Sequence, residues 1–229
     1  MSHIEKAEAG DVHSLTEAHR LQRVPKRRLG NPGPLGLFSF ASTTMILSWY
    51  NSGIRGINVP NVVVGMALAV GGLVQLLAGM WEFACGNTFG ATAFSSYGGF
   101  WMSFACLYLP SLGIVDAYGN GSAPTGTDAT ELNSALGIYL ITWFMFTFLM
   151  LVASTRRNIG LMALFFFLMI TFMLLAIGKF QNSVNITKAG GATGVITALV
   201  AYYVGLAELL IRDESWFTLP LGTMSKRVD

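Results

Sequence analysis

Ile159-Gly-Leu-Met-Ala-Leu-Phe-Phe-Phe-Leu-Met-Ile-Thr-Phe-Met-Leu-Leu-Ala-Ile-Gly178 runs for twenty residues without a charge. A helix needs about 20 mostly apolar residues to cross the hydrocarbon core of a bilayer. A continuously apolar run favours a helix over a barrel strand, which alternates over about ten residues. In lipid, a helix satisfies its backbone polar groups within one segment. Five more stretches of similar length lie outward from this one: 35–53, 61–81, 88–110, 134–154 and 189–211. Between Leu29 and Ile211 the basic residues are Arg55, Arg156, Arg157, Lys179 and Lys188, and the acidic ones are Glu82, Asp116, Asp128, Glu131 and Glu208. The whole chain of 229 residues is 53% hydrophobic and 11% charged. A soluble domain carries about 25% charge, and a disordered chain is poor in apolar residues, so both classes are excluded. Two cysteines cannot build a disulfide scaffold.

The reading is an all-α integral membrane protein, a six-transmembrane-helix channel-like bundle. Its parts are a disordered basic tail over 1–30, the transmembrane domain over 31–212 and a short C-terminal tail over 213–229. With the N-terminus inside, eleven basic residues fall on the cytoplasmic side and three (Arg55, Lys179 and Lys188) outside. The positive-inside rule therefore places both termini in the cytoplasm. The sequons at Asn120 and Asn185 fall in outside loops, which agrees. The apolar runs begin too late for a cleaved signal peptide. The cluster Arg23-Val-Pro-Lys-Arg-Arg28 is either the topology signal alone or also a contact for anionic lipid.

Enzyme chemistry loses its candidates early. His3, His13 and His19 all lie in the tail, which excludes histidine-dependent proteolysis, haem ligation and a multi-histidine metal centre within the bilayer. Cys85 and Cys106 form no paired motif, and no phosphate loop or dinucleotide fingerprint is present. The reading is a non-enzyme without metal, cofactor or nucleic-acid partner.

The spans carry hydroxyls and amides instead. Ser39, Ser42, Thr43 and Thr44 lie in the first, and later ones add Tyr97, Thr142, Thr147, Thr171, Thr193 and Thr197. Such groups commonly bond their own backbone or a neighbouring helix. Gln75 sits mid-span with four hydrogen-bonding sites, so it should face a wet cavity or a polar neighbour. Glu82, set among Met80-Trp81 and Phe83-Ala84-Cys85, is either an interfacial residue or has a role in proton exchange or in fixing the next turn. Gly65, Gly72, Gly79 and Gly86 recur every seven residues, and Gly190 pairs with Gly194. Both patterns predict close helix packing, within a bundle or between subunits. The first span opens on Asn31-Pro32-Gly33-Pro34 and the third on Gly86-Asn87-Thr88, with Asn87 or Thr88 as cap. Lacking a cation inside the bilayer, an anion would rely on helix N-termini and hydroxyls; otherwise the solute crosses as a neutral acid.

Asn31-Pro32-Gly33-Pro34-Leu35-Gly36-Leu37 resembles the NPxPLGL signature of the acetate uptake transporters, the succinate–acetate permeases. Gln75 through Glu82, Gly86-Asn87-Thr88-Phe89-Gly90, Ser96-Tyr97-Gly98, Leu174-Leu175-Ala176-Ile177-Gly178 and Leu219-Pro220-Leu221-Gly222 extend the likeness. The resemblance implies a pore in each protomer, a homo-hexameric ring, and passive or proton-linked passage of acetate and related small carboxylates, with succinate in some members; the long tail and the two sequons point to the plasma membrane. It maps an aromatic–aromatic–leucine constriction onto Phe40, Tyr97 and Leu168. It leaves Thr43, Thr44 and Gln75 as substrate-binding residues, and Asn31, Pro32, Pro34, Gly36, Glu82, Asn87 and Thr88 as signature or structural positions. The rival readings are a non-transporting scaffold or regulator and a conduit for another small solute such as ammonia or water.

Overall fold

The computed structural model describes residues 29–57, 59–118 and 128–224, apart from the side chains of 128 and 129. The three histidines, the Arg23–Arg28 cluster and the Asn120 sequon lie outside the described residues. Six long helices follow in order: α1 Gly33–Asn51, α2 Val63–Ala84, α3 Thr88–Leu107, α4 Asp128–Ser154, α5 Ile159–Phe180 and α6 Val184–Leu209. Among the described residues the only β pairing is an isolated antiparallel bridge between Asn158 and Thr223.

Local chemistry sets the helix ends. The Asn31 side chain accepts from the Gly33 N–H at 3.0 Å; Pro32 stands at the N-cap and Pro34 in the first turn, where a missing N–H costs nothing. Asn87 caps α3 by accepting from the Gly90 N–H at 3.2 Å. Asn158 caps α5 by accepting from the Leu161 N–H at 2.7 Å. Helix α5 runs through Phe180, two residues further than hydropathy indicates, because Asn182 closes the turn with φ of 50°. Lys179 is therefore on the helix and not in a loop. Helix α4 begins six residues before the expected 134, since a helix need not stop where apolar sequence does; there Asn133 donates to the side chain of Asn182.

Helices α2, α4, α5 and α6 are long and apolar enough to cross a membrane by length and composition. Helices α1 and α3 are denser in hydroxyl side chains, and they are the less exposed ones, with twelve of the nineteen residues of α1 buried. Outward faces are apolar: Ile138, Met145, Leu149 and Val152 on α4 are more than half exposed, as are Met80 and Trp81 on α2. A soluble monomer rarely exposes so much contiguous apolar surface; the chain is an integral membrane protein.

Packing runs α3–α2–α1–α6–α5–α4. The gap between α3 and α4 is filled by side chains, with Phe100 stacked on Tyr139 at 5.8 Å and edge-on to Trp143 at 5.0 Å. Glycines bring the backbones together only at particular points. A Cβ on Gly79 would lie 2.6 Å from the Ser95 nitrogen of α3, whereas Gly65 has nothing within 4 Å. The seven-residue stripe does not form one face because α2 contains a π-helical stretch, Ala69–Val74, which rotates the register between Gly65 and Gly79. Gly190 and Gly194 pack within the bundle, against Leu175 of α5 and Ser48 of α1. After α6 the chain returns across the α4–α5 turn: Ile159 and Gly160 donate to the carbonyls of Gly222 and Leu221, and the Tyr203 hydroxyl donates to the Pro220 carbonyl at 2.7 Å.

Candidate functional site: two cavities meeting at an aromatic constriction

Two cavities occupy opposite ends of the bundle. The near one, about 680 Å³, lies where α1, α3 and α5 begin and α2, α4 and α6 end, and its lining includes Gln75, Glu82, Asn87, Tyr97, Arg157 and Glu208. The far one, about 110 Å³, reaches the other end, past Thr44, Asn51, Tyr108, Leu168, Lys179 and Thr187. Phe40 lines both. Tyr97 lines the near cavity and Leu168 the far one, so the three residues meet the two spaces where they approach each other. All three are at most 5% exposed.

Tyr97 is the hub of this level. Its ring lies 5.7 Å from Phe40, 5.4 Å from Phe146 and 6.3 Å from Phe165. Its hydroxyl meets Thr147 at 2.8 Å, and Thr147 donates its single proton to the Trp143 carbonyl at 2.7 Å. The tyrosine is therefore the donor in the Tyr97–Thr147 bond, which leaves it acceptor lone pairs only. These contacts hold rings from α1, α3, α4 and α5 at one level of the bundle.

The polar residues separate into distinct roles. Gln75 is fully buried and lines the near cavity, and neither amide atom has a protein partner. Such a group costs about 1–3 kcal/mol unless something hydrogen-bonds to it. Thr44 lines the far cavity with its hydroxyl likewise unpartnered. Thr43 lines neither; it donates to the Ser39 carbonyl at 3.0 Å and packs against Gly71 of the π stretch. Thr88 is exposed and accepts from Thr92 through its carbonyl at 2.8 Å.

The Asn31–Leu37 signature acquires a physical reason here. A Cβ on Gly36 would lie 2.6 Å from the Phe94 ring, and one on Gly33 would collide with the Glu208 carboxylate. Both glycines let α1 approach side chains of α3 and α6 that line the near cavity. Pro34 is buried beside them. Glu82 accepts from the Asn87 side chain at 2.8 Å, tying the end of α2 to the start of α3. Arg157, whose guanidinium stands 4.1 Å above the Phe89 ring, and Arg156 complete the charged rim. Along the chain this arginine pair reads only as a topology signal. Lys179 reads as part of an outside loop; its one sequence signal is a lone lysine at the end of a long apolar run.

The geometry defines a membrane helix bundle with two cavities, lined mainly by apolar side chains with a few polar groups among them, that approach each other at Phe40, Tyr97 and Leu168. Residues 14–226 match the GPR1/FUN34/yaaH family, and the chain belongs to that family. It is 44% identical over 206 residues to acetate permease A of Emericella nidulans, covering 87% of this chain and 68% of that protein. It is 36% identical over 196 residues to the succinate-acetate/proton symporter SatP of Escherichia coli, covering 85% and 96%. The solved structure of the bacterial acetate channel SatP superposes with a TM-score of 0.72 at 35% identity, covering 85% of this chain and all of that one. Relatives in Saccharomyces cerevisiae also include proteins named for outward ammonia transport.

Proposed function

We propose that the protein conducts acetate and other short monocarboxylates across a membrane, passively or linked to protons. The observation that carries this reading is the pair of cavities that open toward opposite ends of the bundle and meet at Phe40, Tyr97 and Leu168. Names of relatives for acetate and for succinate with acetate support the substrate class. An apolar neck resists water and ions by dewetting, while the methyl group of acetate can pass along Phe40 and Leu168. All six helices cross the bilayer in this reading, α1 and α3 shielded by the more apolar four. The near end with Arg156 and Arg157 then faces the cytoplasm, together with both termini. Six protomers form a ring in the plasma membrane, each with its own pore.

In this reading the far cavity, about 110 Å³ against about 680 Å³ for the near one, is the tighter part of the path and favours the smaller acids. Monocarboxylates are therefore the preferred cargo. The direct test is flux of radiolabelled acetate into proteoliposomes, expected well above that of empty liposomes; equality with empty liposomes at both pH 5 and pH 7 would refute the reading. The ammonia-named relatives support a second reading, a conduit for ammonia. Inhibition of acetate flux by propionate and formate, but not by ammonium, separates the two.

Gln75 is the substrate ligand of the near cavity in this scheme. A hydrogen bond to a charged group is worth about 1.5–3 kcal/mol, so Gln75→Leu should raise the half-saturating acetate concentration about tenfold or more. The same change removes an unpartnered buried amide and should leave the melting temperature unchanged or higher. A fall in melting temperature with unchanged transport would make Gln75 a packing residue.

A further inference from the structure

The two mouths differ in charge. Glu82, Glu208, Arg156 and Arg157 all line the near cavity, so both signs are present there. The far cavity is lined by one charged residue, Lys179, with Asn51, Ser48, Thr44 and Thr187 as neutral polar neighbours. Tyr108 is its other titratable lining group, and a phenol is neutral at pH 7. Among the described residues no carboxylate pairs with Lys179. Its position is fixed by tight closure of the α5–α6 turn: Ser183 donates to the Gly178 carbonyl at 2.9 Å and Asn182 to the Lys179 carbonyl at 3.3 Å. A Cβ on Gly178 would lie 3.0 Å from the Thr187 nitrogen, so the start of α6 presses against the helix one residue before the lysine. A lysine at a helix C-terminus is favoured by the helix dipole alone, but that does not require it to line a cavity. Deeper in the same cavity, near Phe40, Thr44 is 95% buried and its hydroxyl has no protein partner, which is the expected state of a donor reserved for a passing solute.

We propose that the far cavity is a carboxylate-collecting site in which Lys179 supplies the counter-charge at the mouth and Thr44 the hydrogen bond beside the constriction. Its ligands are small monocarboxylate anions. The inference rests on the transport reading for its purpose, but not for its test. A cleft lined by one sign of charge raises the local concentration and on-rate of the opposite ion about tenfold or more, in a salt-dependent way. Lys179 thus loads anions at the far mouth, and Thr44 receives them after the charge contact is left behind.

The test uses the full chain in detergent and in proteoliposomes at pH 7, where acetate is ionised. Lys179→Gln should raise the half-saturating acetate concentration about tenfold, both for uptake and for acetate-induced thermal stabilisation, and should flatten the dependence on sodium chloride. Lys179→Arg should keep wild-type values. In the unmodified protein, acetate but not neutral acetamide should slow acylation of Lys179 by an amine-reactive ester, read by peptide mass spectrometry; this needs no variant to fold. Wild-type half-saturation in Lys179→Gln, or acylation unaffected by acetate, overturns the proposal. If acetate protects Lys179 while wild-type flux is nil, the collecting site stands and the transport reading falls. Normal flux without protection overturns the collecting site and leaves transport standing.

Discussion

Phe40→Ala is expected to raise the ratio of lactate to acetate flux about tenfold or more. Phe40 lines both cavities and its ring lies 5.7 Å from that of Tyr97. Truncating it joins a space of about 680 Å³ to one of about 110 Å³ through an opening the width of the lost ring. Apolar contacts discriminate one extra carbon by about 1–3 kcal/mol, or roughly 10–200-fold, and that discrimination disappears with the contact. Leu168→Ala should act in the same direction and less strongly, since Leu168 lines the far side only. Paired uptake of labelled lactate and acetate in proteoliposomes measures the effect. An unchanged ratio in both variants would remove these residues from the solute path.

The second large effect concerns stability. Gly79→Ala is expected to destabilise the bundle by about 1–3 kcal/mol, the usual range for overpacking, and Gly65→Ala is expected to be neutral or slightly stabilising. The two glycines are fourteen residues apart on the same stripe. A Cβ at 79 meets the backbone of Ser95, which cannot swing aside like a side chain; a Cβ at 65 meets nothing within 4 Å. At 65 the gain in helix propensity, about 1 kcal/mol for Gly to Ala, is therefore left unopposed. Thermal melting in detergent followed by size-exclusion chromatography gives both values. Equal effects at 65 and 79 would mean that the stripe acts as one face and that the π stretch has no such consequence.

The contrast between these glycines shows where sequence pattern loses force. Spacing by seven is visible in the chain, but its meaning depends on a constant 3.6-residue turn. The stretch Ala69–Val74 departs from that turn, so Gly65 and Gly79 face different surroundings. Thr43 and Thr44 make the same point at closer range. Adjacent hydroxyls on a helix point about 100° apart, so one lines a cavity and the other packs against Gly71. Nothing in the pair Thr-Thr says which is which. Gln75 is legible as a residue in need of a partner, because an amide in an apolar span is costly wherever it lies.

Class of fold, helix identity and family are carried by the chain alone, since uninterrupted apolar runs and the signature at Asn31–Leu37 are properties of consecutive residues. Capping is also local: Asn31, Asn87 and Asn158 bond backbone groups two or three residues ahead. The cavities belong to another category. Phe40, Tyr97 and Leu168 are separated by 57 and 71 residues, and their meeting depends on how α1, α3 and α5 are rotated and spaced. Lys179 becomes a cavity residue through the same kind of contact, the press of Gly178 against Thr187. Hydropathy is a sum along the chain and carries the apolar helices; a cavity is a gap between side chains of different helices, and its lining is set by packing across the bundle.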